Sequence, residues 1–370
     1  TTPDSVRLEA DSAVKQLGWQ GEHFVDADHI GLETVDLFID ASDFFTIDVA
    51  DFTDKKARPE DIDRFVESHK RFCENLPIPG IEQPLTITED NIKGIAGKYL
   101  LAVQEAGKIY RHIADKKGPG NFITEVSMDE TDEPQSPEEL LFILSAIAGE
   151  NIPAQTIAPK FTGRFNKGVD FVGDVDRFKT EFEADVCIIR YCVKEFGLPA
   201  NLKLSVHSGS DKFSIYPGIY RARKKFDAGL HIKTAGTTWL EEIIGLVKSG
   251  ESGLEIAKEV YCQSLERIDE LCGPYAAVID INVARLPDPK EVAGWRSETF
   301  SDALTHDQSC PGYNRHLRQL LHVGYKVAAE MGSKFTDALK QYENTIAPLV
   351  TNNLYQRHIM PVFLGNTLNK

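Results

Sequence analysis

The sequence predicts an α/β protein built as a (β/α)8 barrel of the TIM type, with a helical insertion and a set of C-terminal helices. Three observations lead there. Short strand-like segments alternate with helical ones from residue 121 onward, the rhythm of a parallel sheet. Seven or eight such units fit in 370 residues, and no glycine-rich dinucleotide turn follows the first strand, which disfavours an open doubly wound sheet. The predicted strand ends carry histidines, lysines and carboxylates, which a closed barrel gathers at one mouth. Residues 1–370 are read as a single catalytic domain, with the insertion at about 55–118.

A loose apolar stripe over residues 5–18 predicts a short helix, and HFVDADHIG (23–31) a first strand running into an acidic turn. Thr34 is placed to cap a short helix, and FFTIDV (44–49) is the second strand. Arg58-Pro-Glu-Asp opens a helix through Lys70, and the proline-rich LPIPGIEQP (76–84) connects it to a helix that Thr88 caps. NFITEVSMDE (121–130) and TIAPKFTG (156–163) are strands, separated by a helix with Ser136 as N-cap and Pro137 at its first position. Asp174 caps the next helix. In LKLSVH (202–207), Leu202, Leu204 and Val206 alternate with Lys203, Ser205 and His207, so one strand face is polar. GLHIKTAGT (229–237) repeats the pattern with His231 and Lys233, and a helix follows from Thr237. Helices are predicted over 254–271, 313–331 and 334–348, and PYAAVIDINV (274–283) is a further strand.

The composition is that of a globular protein, 42% hydrophobic and 26% charged, and 57 acids against 41 bases give a net charge of −16. That balance disfavours nucleic acid or an anionic membrane as partner. No apolar run approaches a bilayer span, and TTPDSVRLEAD has no signal-peptide core. Six scattered cysteines in so large a chain read as buried free thiols, and the expected location is cytoplasmic. Thr1 is not an initiator methionine, so N-terminal residues are expected to be missing.

The strand ends offer Asp26, Asp28, His29, Asp48, Glu125, Asp129, Glu130, Lys160, His207, Asp211, His231 and Lys233. Two neutral imidazoles with one or two carboxylates suit a divalent metal ion, Zn, Mn, Ni or Co, able to polarise a carbonyl and stabilise an enolate. Glu125 fits a ligand or a general base, and Asp129 fits catalysis or the solvation of its turn. Lys160 at the end of an apolar strand needs a partner, for which Asp170 is available. Asp170 itself is either a further ligand or a solvated loop acid. Ser208, Gly209 and Ser210 resemble an anion nest, with Lys212 or Lys233 supplying charge. Arg315 in a late helical turn fits either an acidic substrate or simple helix-start packing. His23, His69, His112, His306 and His358 are assigned to surface or packing.

LKLSVHSGSDKFSIYP, FVDADHIGLETV, NFITEVSMDE and APKFTGRFNKGVDFVGD, in wording and order, resemble the tagaturonate epimerase family from Phe24 to the C-terminal helices. The resemblance implies a metal-dependent isomerase that interconverts the ketouronates D-tagaturonate and D-fructuronate in hexuronate catabolism, and it allows a homo-oligomer. The two ketouronates differ at a carbinol centre β to the ketone, whose proton is not acidic, so retro-aldol cleavage and re-addition is the expected route. On that reading His207 and His231, with Glu125 or Asp170, hold the metal. Asp129, Lys160 or His29 deprotonates the carbinol hydroxyl, and the substrate carboxylate rests against Ser208, Asp211, Lys212, Lys233 or Arg315. A related metal-dependent sugar isomerase, dehydratase or aldolase on a barrel, or a non-catalytic sugar-acid-binding protein, shares much of this pattern.

Overall fold

Alternation of apolar and polar residues sets the strands, and their register decides what the polar faces bring together. The computed structural model describes residues 2–234 and 236–365. Its strands are β1 (Asp26–Ile30), β2 (Phe44–Asp48), β3 (Glu74–Leu76), β4 (Leu85–Ile87), β5 (Ile123–Ser127), β6 (Thr156–Ala158), β7 (Lys203–His207) and β8 (Leu230–Lys233). β3 and β4 form a separate antiparallel pair, and the other six make one sheet in the order β1-β2-β5-β6-β7-β8. β1 to β7 of that sheet pair in parallel, each beside the next in sequence. The ladder sets Thr46 opposite Glu125, Glu125 opposite Thr156 and Thr156 opposite Lys203, so these four share one face. Ala27, Phe45, Ile47, Val126, Ile157 and Leu204 are buried on the other face.

Helices fill the crossovers that parallel strands require. After α1 (Pro3–Leu17), which precedes β1, they are α2 (Pro59–His69), α3 (Glu89–Lys117), α4 (Pro137–Gly149), α5 (Val175–Phe196) and α6 (Tyr216–Phe226). Residues 55–118 hold α2, the antiparallel pair β3–β4 and α3. Thr88 and Ser136 each make the reciprocal bonds of a capping box, as their spacing to Asn91 and Glu139 requires. Thr34 makes no side-chain cap over its short 3-10 turn, and its hydroxyl bonds Gly31 instead.

The mixed α/β class is as predicted, but the main sheet of the described residues has six strands where the sequence predicted eight. Beyond β8 the chain is helical, starting with α7 (Gly236–Lys248) and α8 (Glu251–Glu266). The predicted strand at 274–283 is instead a 3-10 turn over Gly273–Val278 followed by an extended run. Its backbone donors find side chains rather than a ladder: Asp280 N–H donates to Gln319 Oε1 and Asn282 N–H to the His316 ring. Ile279 and Ile281 still pack on the helical core, so the period-two pattern there records packing without pairing. No helix among the described residues is long and apolar enough to cross a membrane.

The chain divides into two compact units. One comprises Thr1–Thr162, Thr180–Val206 and Ala222–His231 and contains most of the sheet. The other comprises Gly163–Lys179, His207–Arg221 and Ile232–Lys370 and is mainly helical. In the helical unit α7 packs on α8 and on the helix Glu343–Thr351, with Trp239 donating to Leu321 O at 2.7 Å. Gly168 of this unit has φ +72°, and a Cβ there would lie 3.0 Å from Arg318 O. Gly168→Ala is therefore expected to lose about 1–2 kcal/mol, read as a lower thermal midpoint.

Candidate active site

On the polar face of the sheet a buried carboxylate organises its neighbours. Glu125 is fully buried, and Thr46 Oγ1 lies 3.2 Å from its Oε1 and 3.1 Å from the Asp26 carboxylate. The His231 ring donates from Nδ1 to Glu125 Oε2 at 2.9 Å, with Ser205 Oγ 3.0 Å from the same nitrogen. Phe44 packs on the His231 ring with centroids 5.1 Å apart. The sequence set His207 and His231, with Glu125 or Asp170, as metal ligands, and of these the structure brings Glu125 and His231 into hydrogen-bond contact. Among the described residues, however, they join no third His, Cys, Asp or Glu in a three-donor group.

Such a group forms at the carboxyl ends of β1, β2 and β5. Donor atoms of His29, Asp48 and Glu130 lie within 4.8 Å of one another. The register of β1 slips between Ala27 and Ile30, and His29 takes φ +49°, a bulge that re-aims its ring. Nδ1 then lies 2.8 Å from Asp48 Oδ2, while Asp48 Oδ1 accepts from Ala50 N–H at 2.9 Å. Asp48 thus fixes the His29 ring, the role carboxylates take behind ligating or proton-transferring histidines. Asp129 accepts from Ser127 Oγ at 2.5 Å, and Lys160 Nζ donates to Thr131 O, so both sit in the turn region after β5 and β6. The sequence drew attention to His29 as the base for the carbinol hydroxyl and to Asp48 and Glu130 only as members of a crowd. Its one stronger signal was Asp-His before a glycine at a strand end.

The remaining assigned residues lie in the helical unit. His207 closes β7 and is half-buried. Ser208 N–H, Gly209 N–H and Ser208 Oγ all donate to Lys233 O, which ties this turn to the end of β8. Asp170 accepts from Ser214 N–H and Oγ, and Arg315 pairs with Asp280 at 2.8 Å. Ser208, Asp211 and Lys212 have no exposed surface. The substrate clamp expected of Ser208, Asp211 and Lys212 is therefore corrected to an internal turn whose polar groups are used by the protein itself. Asp211 accepts from Arg318 Nη2 at 2.7 Å, His306 Nδ1 at 2.8 Å and Asn353 Nδ2 at 3.2 Å. Lys212 Nζ donates to Ser210 Oγ at 2.9 Å. His306 and His358 do have the packing roles assigned to them, here around Asp211.

Burial acts on the charges of this cluster. It would raise Asp211, but the His306 hydrogen bond and the nearby Arg318 charge hold that carboxyl well below the usual range. Burial pushes Lys212 down to about 7 and His322 down to about 3, and it lowers His306 and His358. Each of these groups binds fewer protons folded than unfolded, so each makes stability rise with pH. For His322 the window runs from about 3 to 6.5, and for Lys212 from about 7 to 10.5. Glu241, raised by burial, opposes them on the acid side. The urea midpoint is expected to fall from pH 7 to pH 5, and His322→Asn to flatten that fall. An unchanged pH dependence in the variant removes His322 as a cause.

Comparisons with known proteins agree with this arrangement of sheet and helices. A family model described as UxaE, tagaturonate epimerase, matches residues 1–360. A curated relative, the tagaturonate/fructuronate epimerase of Thermotoga maritima, is 27% identical over 369 residues, covering 95% of this chain and 70% of its own. A glycerol-complexed crystal structure of fructuronate-tagaturonate epimerase UxaE from Cohnella laeviribosi superposes with TM-score 0.76 at 23% identity, covering 95% of this chain and 71% of that one. The native crystal structure of that enzyme gives 0.65 at 22% identity, covering 92% and 71%. With the model spanning nearly the whole sequence, the chain belongs to the tagaturonate epimerase family.

Proposed function

We propose that this protein is an epimerase interconverting D-tagaturonate and D-fructuronate in hexuronate catabolism, and that it uses a divalent metal ion. The observation that carries the reading is the family match over residues 1–360. The consecutive parallel strand order supports placing the reaction at the carboxyl ends of a (β/α)8-type wall. Free cysteines throughout the described chain favour the cytoplasm.

The donors fit a metal. Around one ion with bonds of about 2.1 Å, ligand atoms stand about 3–4 Å apart, consistent with the 4.8 Å limit met by His29, Asp48 and Glu130. These three would hold it, because they bring three donors together at the carboxyl ends of their strands, whereas Glu125 and His231 form a two-residue pair. Bound there, the ion would supply Lewis acidity for charge developing on a ketone oxygen. The chain's own groups handle protons. Asp129 or Lys160 takes the carbinol hydroxyl proton as the bond between the α and β carbons breaks, and returns it after the aldehyde has turned its other face. Glu125 holds the surrounding side chains in place through Thr46 and His231.

NMR of D-tagaturonate incubated with protein and Mn, Ni or Zn tests this directly. Fructuronate is expected to accumulate, and EDTA to abolish turnover, with activity restored by added metal. Cleavage or dehydration without fructuronate would assign the chain to an aldolase or dehydratase instead.

A further inference from the structure

We propose that the cleft at the amino ends of the strands is a second binding site, for a small hydroxylated monocarboxylate. The cleft, about 390 Å³, falls in the size range of small-molecule sites. Asp26, Phe44, Ile123, Thr156, Lys203 and Leu230 line it, and each is the first residue of its strand. In β2 four residue steps, about 13 Å at 3.3 Å per step, separate Phe44 from Asp48, so this cleft and the His29–Asp48–Glu130 group lie at opposite strand ends.

Two of its polar side chains, Thr156 and Lys203, carry the argument. The Thr156 hydroxyl is buried, with its residue only 2% exposed, and has no hydrogen-bond partner. Such an orphan costs folding free energy unless something outside the chain satisfies it. Lys203 Nζ, among the described residues, forms neither an ion pair nor a hydrogen bond, and its stem runs over Gly229, where a Cβ would lie 3.2 Å from Lys203 Cβ. The exposed Asn201 stands at the rim, and the rings of Phe44 and His231 form an apolar wall. One ammonium and one carboxylate, Lys203 and Asp26, line the same cleft, which suits a ligand with a single negative charge and several hydroxyls. A phosphate dianion would meet Asp26 with too little opposing charge. Asp26 and His231 both belong to the Thr46–Glu125 hydrogen-bond chain, so occupancy would also be felt at Glu125.

The test uses D-gluconate as probe in calorimetric titration of the metal-loaded protein, with sorbitol as the neutral control. Gluconate is expected to bind at one site, and sorbitol at least about tenfold more weakly. Lys203→Met should weaken gluconate about tenfold and Thr156→Val several-fold, with circular dichroism confirming that both variants fold. His29→Ala should leave it unchanged. Loss of gluconate binding in His29→Ala would place the ligand at the other end of the strands and overturn the proposal. Undiminished binding in both Lys203→Met and Thr156→Val, or no heat of binding in the wild type, overturns it equally.

Discussion

Asp211→Ala is expected to destabilise the helical unit by about 3–5 kcal/mol, the cost of stripping one partner from a buried ion pair. Arg318 is the reason. It is fully buried, its Nε and Nη1 are committed to Gly168 O and Leu304 O at 2.5 Å each, and Asp211 is its counter-charge at 2.7 Å. Without Asp211 the guanidinium stays in a low-dielectric site unpaired, His306 and Asn353 lose a shared acceptor, and His358 loses the carboxylate beside it. Denaturant unfolding should show the loss in the midpoint. Asp211→Asn, which keeps the shape but not the charge, should recover little of it. A double variant, Asp211→Leu with Arg318→Met, should be less damaged than Asp211→Ala alone, because the unpaired charge is gone. If Asp211→Asn unfolds like the wild type, the charge is not what matters there.

The second large effect concerns the strand ends. His29→Ala should empty the proposed metal group and lower the epimerisation rate at least about a hundredfold. Asp48→Asn should cost about 10–100-fold, since Asp48 orients the ring at 2.8 Å. Metal content by atomic absorption, measured beside the rate, separates the two roles. A ligand loses metal, whereas a base that only moves a proton keeps metal and loses rate. Full metal content in His29→Ala with activity gone would return His29 to the acid–base role read from the sequence.

The sequence made the strands of the sheet legible because one face of each is apolar and the other largely polar, although the central strands are buried on both, and the alternation in Leu202–His207 shows it directly. It misplaced the 274–283 strand because alternation reports which side is buried, not whether a neighbouring backbone is there to pair with. The HSGSDK turn (207–212) was readable as a turn, but its burial was not. Asp211 is met by His306, Arg318 and Asn353, from 95 to 142 positions away, and nothing local marks that they converge. His29 was conspicuous as chemistry, yet the bulge that aims it at Asp48 depends on register between β1 and β2, which single-residue properties do not carry.

Each compact unit is stitched from three separate stretches of chain, and this has a consequence during synthesis. Every residue of the sheet-bearing unit has left the ribosome once His231 is out. By then the nascent chain also carries 163–179 and 207–221, which belong to the helical unit and have only each other until the last third is made. Those two stretches hold Asp170, Asp211 and Lys212 but also Phe171, Phe178, Ile215, Tyr216 and Ile219, side chains that are buried in the finished unit. Apolar side chains left exposed while they wait invite aggregation, so the interval before the helical unit is completed is the hazardous one for a growing chain.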